Sequence, residues 1–169
     1  MPLSTRPVRF GFLAAVLSMA SLSLVATAAE AGWSARKGGG LGTLVSTTTP
    51  AGDEFFLFCS KTGLGLGLVA RVSTRPGGPS DLTQLPVTVA LDDKPAVALT
   101  VEGFDGAWVG TDATATAVAR DIPAATAVTV TIAPSHAEGF EAARQVFVPG
   151  GGLAAATAKA GFPARCRVK

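Results

Sequence analysis

Short β-prone segments follow one another along most of this chain, and turn-forming residues end each of them. Residues 44–48 are rich in β-branched side chains and stop at a cluster of proline, glycine and aspartate in 50–53. Residues 54–61 are largely apolar on both faces, as a central strand of a sheet is. Residues 128–132 alternate valine or isoleucine with threonine, which predicts a strand with one buried face.

The same patterns predict further strands at residues 64–72, 86–91, 97–101, 108–109 and 140–148. Helices are predicted at 153–160 and at 111–123, where Asp112 can cap the first turn and Pro123 ends the helix. Many short strands with one or two short helices predict a mainly β fold, either an antiparallel β-sandwich or an open barrel. No internal repeat or linker divides residues 30–169, which we interpret as a single β-rich domain.

Residues 1–29 have the layout of a secretory signal peptide. Arg6 and Arg9 precede an uncharged apolar run at 10–25, and small residues follow it at 26–28. We expect cleavage after residue 28, 29 or 31. The apolar run, of about sixteen residues, is shorter than the roughly 20 that span a bilayer, although an uncleaved anchor is the alternative. A periplasmic or secreted protein without a stable membrane span is therefore predicted.

The chain has two cysteines, Cys59 and Cys166. In an oxidising compartment an even count favours one disulfide, and the alternatives are two free thiols or a metal pair. Two cysteines without a nearby histidine make a poor zinc site, and the absence of a Cys-x-x-Cys motif argues against thiol–disulfide exchange. We therefore predict a structural disulfide that ties the C-terminal end to an early strand, and no metal site.

The charge balance bears on the class of partner. Without Arg6 and Arg9 the chain has 12 basic and 12 acidic residues, or one acidic residue fewer if Glu30 is also removed. A nearly neutral mature protein lacks the basic surface that nucleic acids require. A nucleic-acid partner is therefore not expected.

Residues that could support catalysis are few. His136 is the only histidine and lies in a predicted loop, which restricts acid–base chemistry. Asp92 and Asp93 are adjacent in a predicted turn, whereas a glycosidase needs two carboxylates from separate elements facing each other across a cleft. We predict a protein that is not an enzyme and needs no cofactor.

Three features are candidates for a recognition surface. In the strand at 64–72, leucines alternate with glycines, so one face is predicted to be nearly bare and open to a partner. The other two features are an acidic turn and an aromatic turn. Their structural alternatives are close backbone approach at the glycines, capping of turn amides by the acids, and core packing of the aromatics. The candidate residues are Gly63, Gly65, Gly67, Asp92, Asp93, Phe104 and Trp108.

The order of features along the chain carries a resemblance. Trp33 lies near the predicted mature N-terminus, an apolar strand ends in Cys59, and residues 85–89 lead to an Asp turn. A last strand at 146–148 then enters a small-residue helix before Cys166. This layout resembles the invasion-associated locus B family and related small exported envelope proteins of Gram-negative bacteria. The resemblance implies a periplasmic or surface-associated, non-catalytic β-sandwich linked to envelope or host interaction.

These observations predict an exported, periplasmic, non-enzymatic binding or interaction protein of the cell envelope, with an envelope or surface protein as its partner. The alternative is a carrier that holds a small apolar ligand or lipid inside the sandwich or barrel. An envelope hydrolase is a third possibility, which requires carboxylates from distant strands to converge with His136 in one cleft.

Overall fold

The computed structural model describes residues 32–70 and 83–166. The predicted signal peptide at 1–29, its cleavage sites and the last two residues of the strand predicted at 64–72 lie outside these ranges. The strands are β1 (Ser34–Lys37), β2 (Thr43–Thr48), β3 (Glu54–Cys59), β4 (Leu64–Val69), β5 (Gln84–Leu91), β6 (Val97–Phe104), β7 (Ala107–Gly110), β8 (Ala127–Ile132) and β9 (Arg144–Pro149). The α-helices are α1 (Ala113–Asp121) and α2 (Leu153–Lys159).

All nine strands belong to one antiparallel sheet in the order β1-β2-β3-β4-β7-β6-β5-β8-β9. Strands β1 and β9 are its edges, yet Val45 of β2 and Val146 of β9 belong to the same buried cluster. The sheet therefore folds over on itself and encloses one principal core. The predicted mainly β, antiparallel fold of the sandwich or open-barrel type, with two short helices, is confirmed.

The observed strands differ from the predicted ones at several positions. Strand β1 was not predicted, because all four of its residues are exposed and carry no apolar alternation; β1 forms by pairing with β2. Strand β6 continues to Phe104, where a turn was expected. Strand β9 begins at Arg144 and not at 140, because Phe140 makes an isolated bridge to Ser135 and packs in the core before the strand starts.

Both helices cover the inner face of the sheet. The side chain of Asp112 accepts a hydrogen bond from the Ala115 amide at 2.6 Å and so caps α1, as predicted. Helix α1 buries Ala115, Val118 and Ala119, and Pro123 lies in the 3-10 turn that follows it. In residues 32–70 and 83–166 no helix is long and apolar enough to cross a lipid bilayer.

A second apolar cluster lies on the opposite, outer face of the sheet. It consists of Leu44, Phe56, Phe58, Ala107 and Val109. Successive side chains of a strand point to opposite faces, so β2, β3, β4 and β7 are buried on both faces while β5, β6, β8 and β9 are buried on one. Phe58 and Val109 of the second cluster also line a surface cleft.

Candidate functional site

The expectation of a bare glycine face on β4 is wrong. Antiparallel pairing sets Phe58 opposite Gly65 and Phe56 opposite Gly67. A Cβ atom on Gly65 would lie 2.4 Å from Cζ of Phe58, and one on Gly67 would lie 2.2 Å from Cζ of Phe56. The aromatic rings therefore fill the space that the missing side chains leave. Of the three glycines only Gly63 is partly exposed, in the turn before β4.

The two aromatic candidates have different surroundings. Trp108 is 2% exposed and packs against Phe140, with ring centroids 5.4 Å apart. Phe104 is 41% exposed and precedes a two-residue turn, in which Asp105 and Gly106 both have positive φ. Trp108 therefore belongs to the principal core, and only Phe104 presents its ring to a ligand.

Asp92 is engaged in a structural contact. Its Oδ1 accepts hydrogen bonds from the Thr126 hydroxyl at 2.6 Å and from the amides of Thr126 and Ala127, both at 2.9 Å. The Thr126 hydroxyl and then the Ala127 amide lower the pKa of Asp92, because both bonds favour the carboxylate form. Asp92 thus ties the β5–β6 turn to the start of β8, while the neighbouring Asp93 is exposed.

The predicted residues do not form one surface. Asp92 and Asp93 precede β6, whereas Phe104 is its last residue. Strand β6 has 8 residues, which at about 3.4 Å per residue separates these two turns by more than about 20 Å. A small ligand at Phe104 therefore does not reach the acidic turn.

A cleft of about 900 Å³ opens at the Phe104 end of the sheet. Phe58 and Val109 of the second cluster contribute its apolar surface, together with Leu41 and Phe104. The 3-10 turn Gly39–Leu41 between β1 and β2 borders the cleft. The arrangement is a concave surface with an apolar floor, the general form of small-molecule sites.

The walls of the cleft depend on one close backbone approach. Gly42 has φ +79°, and a Cβ atom there would lie 2.3 Å from the carbonyl oxygen of Cys59. Only glycine therefore allows the β1–β2 connection to run against the end of β3. The predicted disulfide is present between Cys59 and Cys166, whose Cα atoms are 5.8 Å apart. This disulfide holds the segment containing Arg165 beside the cleft.

Four charged residues line the cleft. Three of them are basic, Lys37, Lys61 and Arg165, and one is acidic, Glu102. Arg165 Nη2 donates to the carbonyl oxygen of Ser60 at 3.2 Å, and Lys37 Nζ donates to the Thr43 hydroxyl at 3.1 Å. Neither bond neutralises the positive charge. Glu102 accepts a hydrogen bond from the Gln84 side chain at 3.2 Å. The cleft therefore combines an apolar floor with a net positive rim.

Of the residues named as a candidate recognition surface, only Phe104 lines this cleft. Its signals were the glycines around Leu41 directly after Lys37, and the placement of Arg165 next to Cys166. Neither signal is specific, because glycine runs and terminal basic residues are common on solvated surfaces. The grouping arises only when β3, β6 and the C-terminal segment meet.

His136 begins a 3-10 turn, His136–Glu138, between β8 and β9. Within the described ranges, no group of three or more histidine, cysteine, aspartate or glutamate residues is placed to hold a metal ion.

No protein-family model, curated protein or solved structure matches this chain. The resemblance to the invasion-associated locus B family therefore stays a prediction.

Proposed function

We propose that this chain is an exported, non-enzymatic binding protein of the cell envelope, and that its ligand site is the cleft at Phe104. The ligand class is a small amphipathic anion, with an apolar body and a phosphate or carboxylate group. The observation that carries the proposal is the apolar floor of Phe58, Val109 and Phe104 beneath the basic residues Lys61 and Arg165.

The size and lining of the cleft support a small ligand. Its volume of about 900 Å³ lies in the range of about 300–1,000 Å³ that ligand pockets occupy. Phe104 is 41% exposed, so covering its ring would remove apolar surface from water. The interior of the sheet offers less, because the packed side chains of Trp108 and Phe140 occupy it. A carried ligand is therefore proposed to bind in this outer cleft and not in the interior of the sheet.

The basic rim supports a negatively charged group on that ligand. A guanidinium has five N–H donors, and Arg165 uses one terminal nitrogen on Ser60, so donors remain for a phosphate or carboxylate. Lys61 lies in the turn between β3 and β4 and is exposed. Its ammonium group can reach the same anion without giving up an internal contact that holds the fold.

The disulfide supports the exported location. Disulfides persist in oxidising compartments and are rare in the cytosol. The Cys59–Cys166 bond also positions Arg165 beside the cleft. Ligand binding should therefore depend on an oxidising environment that keeps the disulfide intact. An intact-mass spectrum of the chain recovered from the periplasm would test cleavage after residue 28, 29 or 31 together with the disulfide.

Isothermal titration calorimetry with dodecyl phosphate and its uncharged counterpart dodecanol tests the ligand class. We expect tighter binding of dodecyl phosphate, and we expect added salt to reduce that preference. Lys61→Gln should weaken phosphate binding by about two- to five-fold, the range of a solvent-exposed ion pair, without affecting dodecanol. Phe104→Ser should weaken binding of both compounds.

Matched controls are available away from the cleft. Lys159→Gln in α2 removes a lysine that does not line the cleft, and Val97→Ser removes an exposed apolar side chain at the other end of β6. Both variants should bind like the parent protein. Equal affinity for the two compounds, or loss of binding in the control variants as strong as in the cleft variants, would overturn the proposal.

A further inference from the structure

The second surface of interest is the open edge of β9. The Gly150 amide donates to the Thr126 carbonyl, which identifies 126 and 150 as a hydrogen-bonded pair in the β8–β9 register. Such pairs alternate along an antiparallel ladder, so Val146 and Val148 direct their backbone groups to β8. The backbone groups of Gln145 and Phe147 therefore point away from the sheet. Neither residue has a backbone partner on that side in the described part of the chain.

The side chains on this edge leave it unprotected. Val146 and Val148 are buried in the core, and Gln145, Phe147 and Pro149 are exposed on the other face. Phe147 is 64% exposed, which is more than the other exposed large apolar residues of the described ranges, Val97 and Phe104. Edge strands usually carry charged residues that prevent association with another strand. The three exposed side chains of β9 carry no charge.

The opposite edge of the sheet is protected in the usual way. Strand β1 carries Arg36 and Lys37, both exposed. Antiparallel pairing of two β1 strands would bring these cations close together and desolvate them. The two edges therefore differ, and β9 is the one suited to pairing with an identical strand.

We propose that two copies of this chain associate by antiparallel pairing of β9 with β9 about a twofold axis at Val146. In this register Gln145 of one copy faces Phe147 of the other, and the free amides and carbonyls of both residues satisfy one another. Each Phe147 ring then packs over the aliphatic part of the facing Gln145. The exposed side chains of this edge present no repulsion to those of a second copy and no charge that would select a different partner.

Pro149 determines the register of this pairing. A proline has no N–H to donate to a neighbouring strand, so Pro149 cannot lie within the paired segment. A twofold axis at Val146 leaves Pro149 at the end of the ladder, beyond the start of the facing β9 strand. The paired segment is short, and its buried area is below the roughly 1,200 Å² of stable interfaces, so we expect a weak, concentration-dependent dimer.

Sedimentation velocity from about 10 μM to about 1 mM protein tests the proposal, because weak dimers populate in that range. We expect the weight-average mass to rise from monomer towards dimer. Phe147→Lys introduces a charge at the twofold interface and should abolish the rise. Phe147→Pro should do the same while leaving the β8 ladder intact, because the amide that it removes points away from β8.

A control variant and a local measurement distinguish this edge from other surfaces. Val97→Lys changes an exposed apolar residue of β6, a strand that is not an edge, and should dimerise like the parent chain. Amide hydrogen exchange at Gln145 and Phe147 should slow as the concentration rises, while exchange at Ala35 of β1 should not. A parent protein that stays monomeric to the highest concentration, or a dimer that persists in both Phe147 variants, would overturn the proposal.

This inference is independent of the ligand cleft, since no residue of β9 lines it. Failure of ligand binding in calorimetry would leave the sedimentation result unaffected. Loss of the dimer in the Phe147 variants should likewise leave binding of dodecyl phosphate unchanged.

Discussion

Arg144 Nη2 donates to both carboxylate oxygens of Asp53, at 2.7 and 2.8 Å, and thereby joins β9 to the turn between β2 and β3. The two residues are 91 positions apart in the sequence and lie near opposite ends of the strand order. The side chain of Asp53 is 2% exposed and that of Arg144 is 32% exposed. This contact is one reason why an open sheet keeps its folded-over shape.

Replacing Arg144 with methionine should lower the free energy of unfolding by about 2–3 kcal/mol, because the buried Asp53 carboxylate loses a cation that bonds both of its oxygens. The value is below the roughly 3–5 kcal/mol of a fully buried pair, since solvent screens the exposed part of Arg144. Urea denaturation measures the change. The matched control is Arg36→Met, which removes an exposed pair to Glu54 at 2.6 Å and should cost less than about 1 kcal/mol. Equal losses in the two variants would contradict the assigned role of Arg144.

Removal of the disulfide should destabilise the fold strongly. Cys59 and Cys166 are 107 residues apart, and a closed loop of this length is worth about 4–5 kcal/mol in the chain-entropy model. The double variant Cys59→Ser/Cys166→Ser should therefore unfold at a much lower urea concentration than the oxidised parent protein. The reduced parent protein should unfold at the same urea concentration as the double variant. If reduction left the urea midpoint of the parent protein unchanged, the disulfide would contribute little to stability.

The glycines of β4 should tolerate alanine poorly. A Cβ atom on Gly65 meets the carbonyl oxygen of Gly110 at 2.7 Å in addition to the Phe58 ring, whereas the three atoms nearest to one on Gly67 all belong to the Phe56 ring. Gly65→Ala should therefore cost about 2–3 kcal/mol and Gly67→Ala less, because a ring shifts more easily than backbone. Thermal and urea unfolding measure both changes.

A second substitution tests the ring contact directly. Phe56→Leu should recover part of the stability lost in Gly67→Ala, and a double-mutant cycle reports the coupling between the two positions. Gly151→Ala is the control, since no atom lies within 4 Å of a Cβ atom there and it should be nearly neutral. Additive effects of the two substitutions at 56 and 67 would argue against direct packing.

Asp92 should make stability depend on pH. Its pKa is lowered in the folded state by the Thr126 hydroxyl and the Ala127 amide, so its contribution is fully present above the unfolded value of about 3.9. That contribution is lost as the pH falls through the lower, folded value. Asp92→Ala should therefore be less stable than the parent chain at neutral pH, and the difference should shrink below about pH 4.

Urea denaturation across a pH series measures this difference. Asp93→Ala is the matched control, because the exposed Asp93 has no hydrogen bond or ion pair among residues 32–70 and 83–166. We expect this control to follow the parent chain at every pH. A difference between parent and Asp92→Ala that does not change with pH would contradict the proposed carboxylate contacts.

Local patterns allowed much of the fold to be predicted. The alternation in Ala127–Ile132, the capping residue Asp112 and the pairing of the two cysteines each depend on a few neighbouring residues or on simple counting. For this reason the mainly antiparallel architecture, both helices and the disulfide are all present in the structure. Strand β1 was missed because none of its side chains is buried, and only its pairing with β2 makes it a strand.

The site depended on relationships between strands. Glycine alternation in β4 shows which face lacks side chains of its own, but the register with β3 decides that Phe56 and Phe58 cover that face. In the same way, Phe104 and Trp108 are close in sequence, yet one is exposed beside the cleft and the other is buried against Phe140. Composition and periodicity describe which face of each strand is apolar, because that is a property of neighbouring residues. Which strand lies beside which is decided only when the apolar faces of all the strands are buried together in the tertiary structure. The neighbouring strand then determines which side chains cover each face.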